Sequence, residues 1–171
     1  LLCDKGYKTS VDMVSEEGDR HSLVLTPCLP FVDYLIINEV EAGNSTGLAI
    51  RKPDGSFDPE NLEAAALKLL GLGVREQVSI HLPEGGFTAR KDGQSVLEES
   101  FKVGPDEIVG SVGAGDAFCA GMLYAIHEGY GTHEALVFAN ASARFNLFDA
   151  TSTGGAPSLE TIEAFIGEHS N

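Results

Sequence analysis

Positive charge is scarce in this chain: 11 lysines and arginines stand against 26 aspartates and glutamates in 171 residues, a formal net charge of −15. A surface that holds nucleic acid or an anionic membrane needs clustered Lys and Arg, so neither is an expected partner. A phosphate ligand would have to be held by backbone N–H groups and a divalent cation. Cysteine is sparse as well. Cys3, Cys28 and Cys119 are odd in number, widely spaced and without a CxxC pair, so neither a disulfide framework nor a thiolate zinc site is suggested. A reducing cytoplasm is the simplest setting for such thiols. No 18-residue apolar run occurs, nor a basic segment leading into an apolar one, so no membrane span or signal peptide is expected. His21, His127, His133 and His169 do not fall at metal-ligand spacing. An initiating Met is missing too. The chain opens Leu1-Leu2-Cys3-Asp4-Lys5-Gly6, which reads as the last turn of a helix stopping at Gly6, and a fragment of a longer protein is expected.

What is present fits one ordinary α/β domain. Hydrophobic content of 43% suffices for a core. Lys8 to Val14 alternates apolar and polar residues as a strand does, and Ser22 to Leu29 is a short apolar segment that suits a helical turn. Tyr34 to Ile37 is a continuous apolar run, the signature of a strand buried on both faces, with Asn38-Glu39-Val40-Glu41-Ala42 opening a short helix or loop after it. Asp58-Pro59-Glu60 starts a helix to about Leu70. Gln77 to Leu82 reads as a strand, and Phe87–Arg90 and Ser95–Leu97 flank the hairpin signal Asp92-Gly93. Three further helices are predicted: Ala114 to Glu128, His133 to Phe148 capped by Thr132, and Leu159 to Gly167 capped by Ser158. This order predicts helices covering a largely parallel sheet.

The run Gly113-Ala114-Gly115-Asp116 carries the most chemistry. Two glycines permit positive φ and close backbone approach, and the helix that follows offers unpaired N–H groups and the positive end of its dipole. Asp116 lies in the first turn. Two readings are open at this point: an anion hole with a carboxylate base, or a tight turn with Asp116 as a cap. The run is neither a Walker loop nor a complete G-x-G-x-x-G. A Rossmann dinucleotide site would need the glycines early in a βαβ unit and an acid about 20 residues on, and neither occurs. The downstream small residues Ala117, Ala120, Gly121 and Ala125 allow close packing on a sheet, Phe118, Met122 and Ile126 read as core, and Cys119 reads as a small core residue rather than a nucleophile.

Val112 to Gly121 resembles the C-terminal signature of the ribokinase-like, PfkB-type carbohydrate kinases. Asn38-Glu39-Val40-Glu41 is similar to that family's N-x-x-E motif. Thr151 to Ser158 resembles the loop before its last helix, and Ser79 to Gly86 takes the place of its T-L-G-x-x-G nucleotide loop. The resemblance spans the chain but only the second half of a typical member, without the N-terminal half and lid. It implies a ribokinase-like fold and ATP-dependent transfer of the γ-phosphoryl group to a small sugar or related alcohol. Asp116 would be the general base and the backbone of Gly113, Ala114 and Gly115 the anion hole. Asn38 and Glu41 would support Mg²⁺ and phosphate through water; a solvated helix acid is the alternative for Glu41. His81, Gly86 and Gly154 would fall in nucleotide-binding segments, with His81 a strand-end or loop residue rather than a catalytic one. Asn140 matches a position near the adenine, with a helix-surface amide as its alternative. The family often has Asp where this chain has Gly110, and that carboxylate helps hold a monovalent cation, so the case for K⁺ here is weakened. Relatives often dimerise through the lid, so the parent is expected to be a homodimer. A non-catalytic nucleotide-binding module of the same fold is the rival reading, and the 171-residue piece is expected to phosphorylate little by itself.

Overall fold

The computed structural model describes residues 2–13 and 20–169. Its backbone contacts divide the chain into two compact units, one of Leu1–Leu82 with Phe87–Val96 and one of Pro83–Gly86 with Leu97–Asn171. Five strands form one sheet in chain order: β1 (Ser10–Asp12), β2 (Tyr34–Asn38), β3 (Gln77–Leu82), β4 (Gly85–Arg90) and β5 (Ser95–Glu99). β1 runs parallel to β2, with Val11 opposite Leu35, and β2 parallel to β3, with Ile36 opposite Ser79. The links from β3 to β4 and from β4 to β5 are too short for a crossover and form hairpins. The predicted strand Lys8–Val14 is shorter than expected, and Val14 lies outside the described residues. Ser22 to Leu29 is divided between α1 (Arg20–Leu25) and a 3₁₀ turn at Leu29–Phe31.

In the first unit, α2 (Glu39–Thr46) packs on β2 and β3, and α3 (Pro59–Gly71) packs on β3. Asp58 caps α3 by accepting from the N–H groups of Glu60 and Asn61, and Pro59 at the first position loses no helical bond. Leu62, Ala65, Ala66, Leu69 and Leu70 recur at helical spacing and are all buried, together with Leu35, Ile37, Val78 and Ile80 of the sheet. Ile36 is fully buried as well but outside that cluster. The apolar run of β2 is therefore covered on both faces, as a strand of its composition requires.

Asp33, 1% exposed, ties β1 to β2. Its carboxylate accepts from the Thr9 N–H (2.9 Å) and Thr9 Oγ1 (3.1 Å), and Lys8 and Arg75 stand 3.8 and 3.6 Å away. Beside it Lys8 pairs with Glu76, which also accepts from the Tyr34 hydroxyl at 2.9 Å. The Lys8 ammonium chiefly holds the Glu76 carboxyl below its usual range against the upward push of burial, with a lesser contribution from the Tyr34 hydroxyl.

The second unit is built on α4 (Ala114–His127), α5 (Thr132–Asn146) and α6 (Leu159–His169). α4 packs along α5, and α5 against α6. The small residues of α4, expected to lie on the sheet, include Gly121, which faces Ala139 and Ser142 of α5. Phe118 and Met122 are buried core, as is Cys119 at 9% exposure. Tyr124 stacks on Phe138 with centroids 5.2 Å apart, and Tyr130 meets Phe138 edge-on at 5.9 Å. Gly131, not Thr132, is the N-cap of α5. Ser158 caps α6 as expected, accepting from the Thr161 N–H at 3.3 Å. No helix among the described residues is long and apolar enough to cross a membrane.

Two outcomes follow for stability. Asp33→Ala strands the Thr9 N–H and removes the carboxylate beside Arg75, while Lys8 keeps Glu76, and is expected to cost about 2–4 kcal/mol. A denaturant midpoint unchanged from wild type would contradict it. Glu76 contributes stability that is complete above the unfolded carboxylate pKa and is lost as pH falls through its lower folded value. An acid titration of the unfolding midpoint should therefore flatten at its acid end in Glu76→Gln, and identical profiles would remove Glu76 from the account.

Candidate active site

In the first unit, the C-terminal end of β2 delivers Asn38 and Glu41. Asn38 leaves the strand with φ −83° and ψ 169° and caps α2. Its Oδ1 accepts from the Glu41 N–H at 2.8 Å, while Glu41 Oε2 accepts from the Asn38 N–H at 3.0 Å. The N-x-x-E motif is thus a capping box. The alternative of a solvated acid fails for Glu41, because it is 1% exposed. A buried carboxylate locked at a strand's carboxyl end is a stiff, oriented acceptor, and such strand ends are where open α/β sheets bind ligands. His81 is the register partner of Asn38 on β3, half-buried. It is the strand-end histidine expected.

The segment expected to form a nucleotide loop is more tightly folded than its motif suggests. Ser79 to Leu82 belong to β3, Pro83 and Glu84 turn, and Gly85 and Gly86 already belong to β4. Gly86 is buried, and a Cβ there would stand 2.8 Å from Leu136 Cδ2 and 3.0 Å from Phe118 Cζ. Its place is set by α4 and α5 packing on it.

In the second unit, Gly113 is the N-cap of α4 with φ +85°, and it has no side chain with which to cap the helix. A Cβ at this position would overlap Ser152 O and lie 2.7 Å from Ser152 Cα. Positive φ and the close approach of a second backbone both demand glycine. The Ala114 N–H reaches Ser111 O at 3.2 Å, and the Ala117 N–H makes the first helical bond to Gly113 O at 2.8 Å. Between them, the N–H groups of Gly115 and Asp116 find no acceptor outside the helix among the described residues. Asp116 follows in the first turn and is exposed. Two outward N–H groups, the positive helix end and an accessible carboxylate therefore share one turn. That arrangement can hold an anion and accept a proton beside it.

The loop carrying Gly154 supports this turn. Asp149 Oδ1 accepts from the Thr151 N–H (2.7 Å) and Oγ1 (2.6 Å), and Thr151 Oγ1 accepts from the Gly154 N–H (2.9 Å). The Thr151 hydroxyl, then its N–H, hold the Asp149 carboxyl below its usual range. The loop so knotted places Ser152 against Gly113. Asn140 is not the surface amide of its alternative reading. It is 3% exposed, and its Nδ2 donates to the carbonyls of Glu98 (3.4 Å) and Glu99 (3.3 Å), tying α5 to β5.

Sequence reasoning missed Asn146, whose Nδ2 donates to Val112 O at 2.8 Å. Asn at a core position of an amphipathic helix was the available signal. No cluster of three or more His, Cys, Asp or Glu able to hold a metal ion occurs among the described residues. Mg²⁺ suits such a setting only when phosphates and water supply most of its ligands.

Comparison with known proteins extends this geometry. The model of the pfkB family carbohydrate kinases matches residues 7–161. A 5-dehydro-2-deoxygluconokinase of Clostridium tetani is 31% identical over 117 residues, 67% of this chain and 34% of that protein. Arabidopsis thaliana ribokinase complexed with ribose and ATP superposes with a TM-score of 0.78 at 22% identity, over 95% of this chain and 48% of that one. A putative ribokinase II from E. coli in complex with ATP and Mg²⁺ gives 0.76 at 23% identity, over 98% and 51%. The chain thus spans about a third of that curated relative and half of these structures. With the family match over residues 7–161 and the shared fold, the chain belongs to the pfkB family of carbohydrate kinases and has the ribokinase-like α/β fold.

Proposed function

We propose that this chain is the C-terminal, nucleotide-binding and catalytic portion of an ATP-dependent sugar kinase that transfers the γ-phosphoryl group to a hydroxyl of a small sugar or related alcohol. The observation that carries the reading is the α4 mouth: Gly113 at φ +85° under Ser152, two N–H groups turned outward, and an exposed Asp116 in the same turn. Asp116 takes the proton from the attacking hydroxyl. The turn from Gly113 to Gly115 receives the charge that develops on the phosphoryl oxygens through the open N–H groups of Gly115 and Asp116, already oriented before reaction, whereas the Ala114 N–H, expected to share in the hole, donates to Ser111 O at 3.2 Å instead. Asn38 and Glu41 would hold water toward Mg²⁺, which would supply positive charge to offset that of the phosphates. The rigid capping box suits that role, since neither side chain can swing away. His81, Gly86 and Gly154 lie in the segments assigned to the nucleotide, Gly86 and Asn140 as packing supports for α4 and α5. A small sugar, ATP, a reducing cytoplasm and a homodimeric parent complete the proposal.

Asp116→Asn in the intact kinase is expected to lower the turnover rate by about 10²–10⁴-fold, the usual worth of a general base, while ATP affinity is retained. A rate equal to wild type would remove Asp116 as the base. If no sugar in a broad panel accepts phosphate from ATP, the chain is instead a non-catalytic nucleotide-binding module. The 171-residue chain alone is expected to turn over little or not at all in a coupled assay, and brisk turnover would overturn that. Gly113→Ala places a Cβ at positive φ against Ser152. It should depress the rate by about 10²–10³-fold, comparable to losing one oxyanion donor, and a rate within error of wild type would refute the proposed role of the turn.

A further inference from the structure

The resemblance brings with it a monovalent cation beside the anion hole, and the residues present do not fit one. Gly110 supplies no carboxylate, and even a Cβ there would already stand 3.2 Å from Asp149 O. The nearest acid along the loop, Asp149, has Oδ1 committed to the Thr151 N–H and hydroxyl. The carbonyls nearby already face N–H donors. Val112 O receives Asn146 Nδ2 at 2.8 Å, Asn146 O receives the Asp149 N–H at 3.3 Å, and Leu147 O receives the N–H groups of Val109 (2.8 Å) and Gly110 (3.3 Å). Leu147 O thus has both lone pairs taken, Val112 O and Asn146 O keep one each, and a cation here would have no carboxylate to offset its charge.

We propose that Asn146 is the positioning residue of the α4 mouth, that its side-chain amide holds the Val112–Gly113 peptide in place of a bound cation, and that turnover is therefore independent of K⁺. The inference rests on the anion-hole reading of Gly113 to Asp116. Val112 C=O and Gly113 N–H belong to one peptide plane. A donor fixed on that carbonyl fixes the plane, and with it the direction in which the chain enters α4. Asn146 is suited to the task because it is 1% exposed, so water cannot replace its bond. Its backbone is held in turn: a Cβ at Gly155 would stand 2.7 Å from Asn146 Cα and from Phe145 O. The clasp thus joins α5, the 149–155 loop and the residues before α4.

The test uses wild type, Asn146→Ala and Asn146→Leu, the last keeping most of the volume while removing the donor. In the 171-residue chain, exchange of the Ala117 amide is expected to quicken by about tenfold in both variants, the worth of one buried hydrogen bond, while the mid-α5 amides of Leu136 to Ala141 keep their wild-type protection. Unchanged Ala117 exchange, or protection lost equally across α4, α5 and α6, overturns the positioning role. In the intact kinase, replacing K⁺ by tetramethylammonium should alter wild-type turnover by less than about twofold, whereas a coupled effector site changes its partner about fivefold or more. A dependence of that size overturns the cation half of the inference. Both Asn146 variants should lower kcat more than they raise KM for ATP, and an equal effect on both returns Asn146 to general packing. Asp116→Asn runs alongside: if its rate equals wild type, the base assignment has failed, and amide exchange still judges the clasp separately.

Discussion

The second unit depends on one constraint, the unsatisfied first turn of α4. A helix must leave its leading N–H groups without internal partners, and most helices cap them with a side chain from the preceding residue. Here the N-cap is Gly113, which has none, and its φ of +85° carries the chain past Ser152 at a distance that admits no Cβ. The donors are thereby kept open instead of being consumed. The supporting structure compensates from outside the helix: the Asp149–Thr151–Gly154 knot holds the loop, and Asn146 holds the Val112 carbonyl. A turn that is strained for any other residue is over-determined by its neighbours, which is the condition under which such conformations persist at functional sites.

The first unit treats a helix start in the opposite way. Asn38 and Glu41 satisfy each other's backbone donors, so the mouth of α2 is closed and its two polar side chains are rigid. The start of α4 leaves donors open, and the start of α2 fills its own. Both starts follow from short sequence features: a glycine where a capping side chain would stand, and an Asn three residues ahead of a Glu.

Much of this was legible in the sequence because it is local. The apolar run of β2, the Asp58-Pro59 start of α3 and the Leu62-to-Leu70 stripe each follow from period and capping chemistry alone. The glycine run pointed to an open helix mouth for the same reason. What was not legible depends on long-range packing. The burial of Glu41 comes from α2 lying on β2 and β3. Asn140 became a tie to β5 because carbonyls 41 and 42 residues away lie within reach of its amide. The expected nucleotide loop closed to a two-residue turn because Gly85 and Gly86 continue as a strand beneath Phe118 and Leu136. Asn146 falls on the buried stripe of α5 with Ala135, Ala139 and Ser142, but its partner lies 34 residues away, so the stripe marks it without saying what it holds.

The proposed function has the open donors of α4 receive the transferring phosphoryl group. It is tested most directly by adding ADP, Mg²⁺ and aluminium fluoride, a planar stand-in for that group, to the intact kinase with its sugar and locating the fluoride. Fluorine is expected within hydrogen-bond distance of the Gly115 and Asp116 N–H groups, with the acceptor hydroxyl on the Asp116 carboxylate. Fluoride bound elsewhere, with those N–H groups left to water, would contradict it.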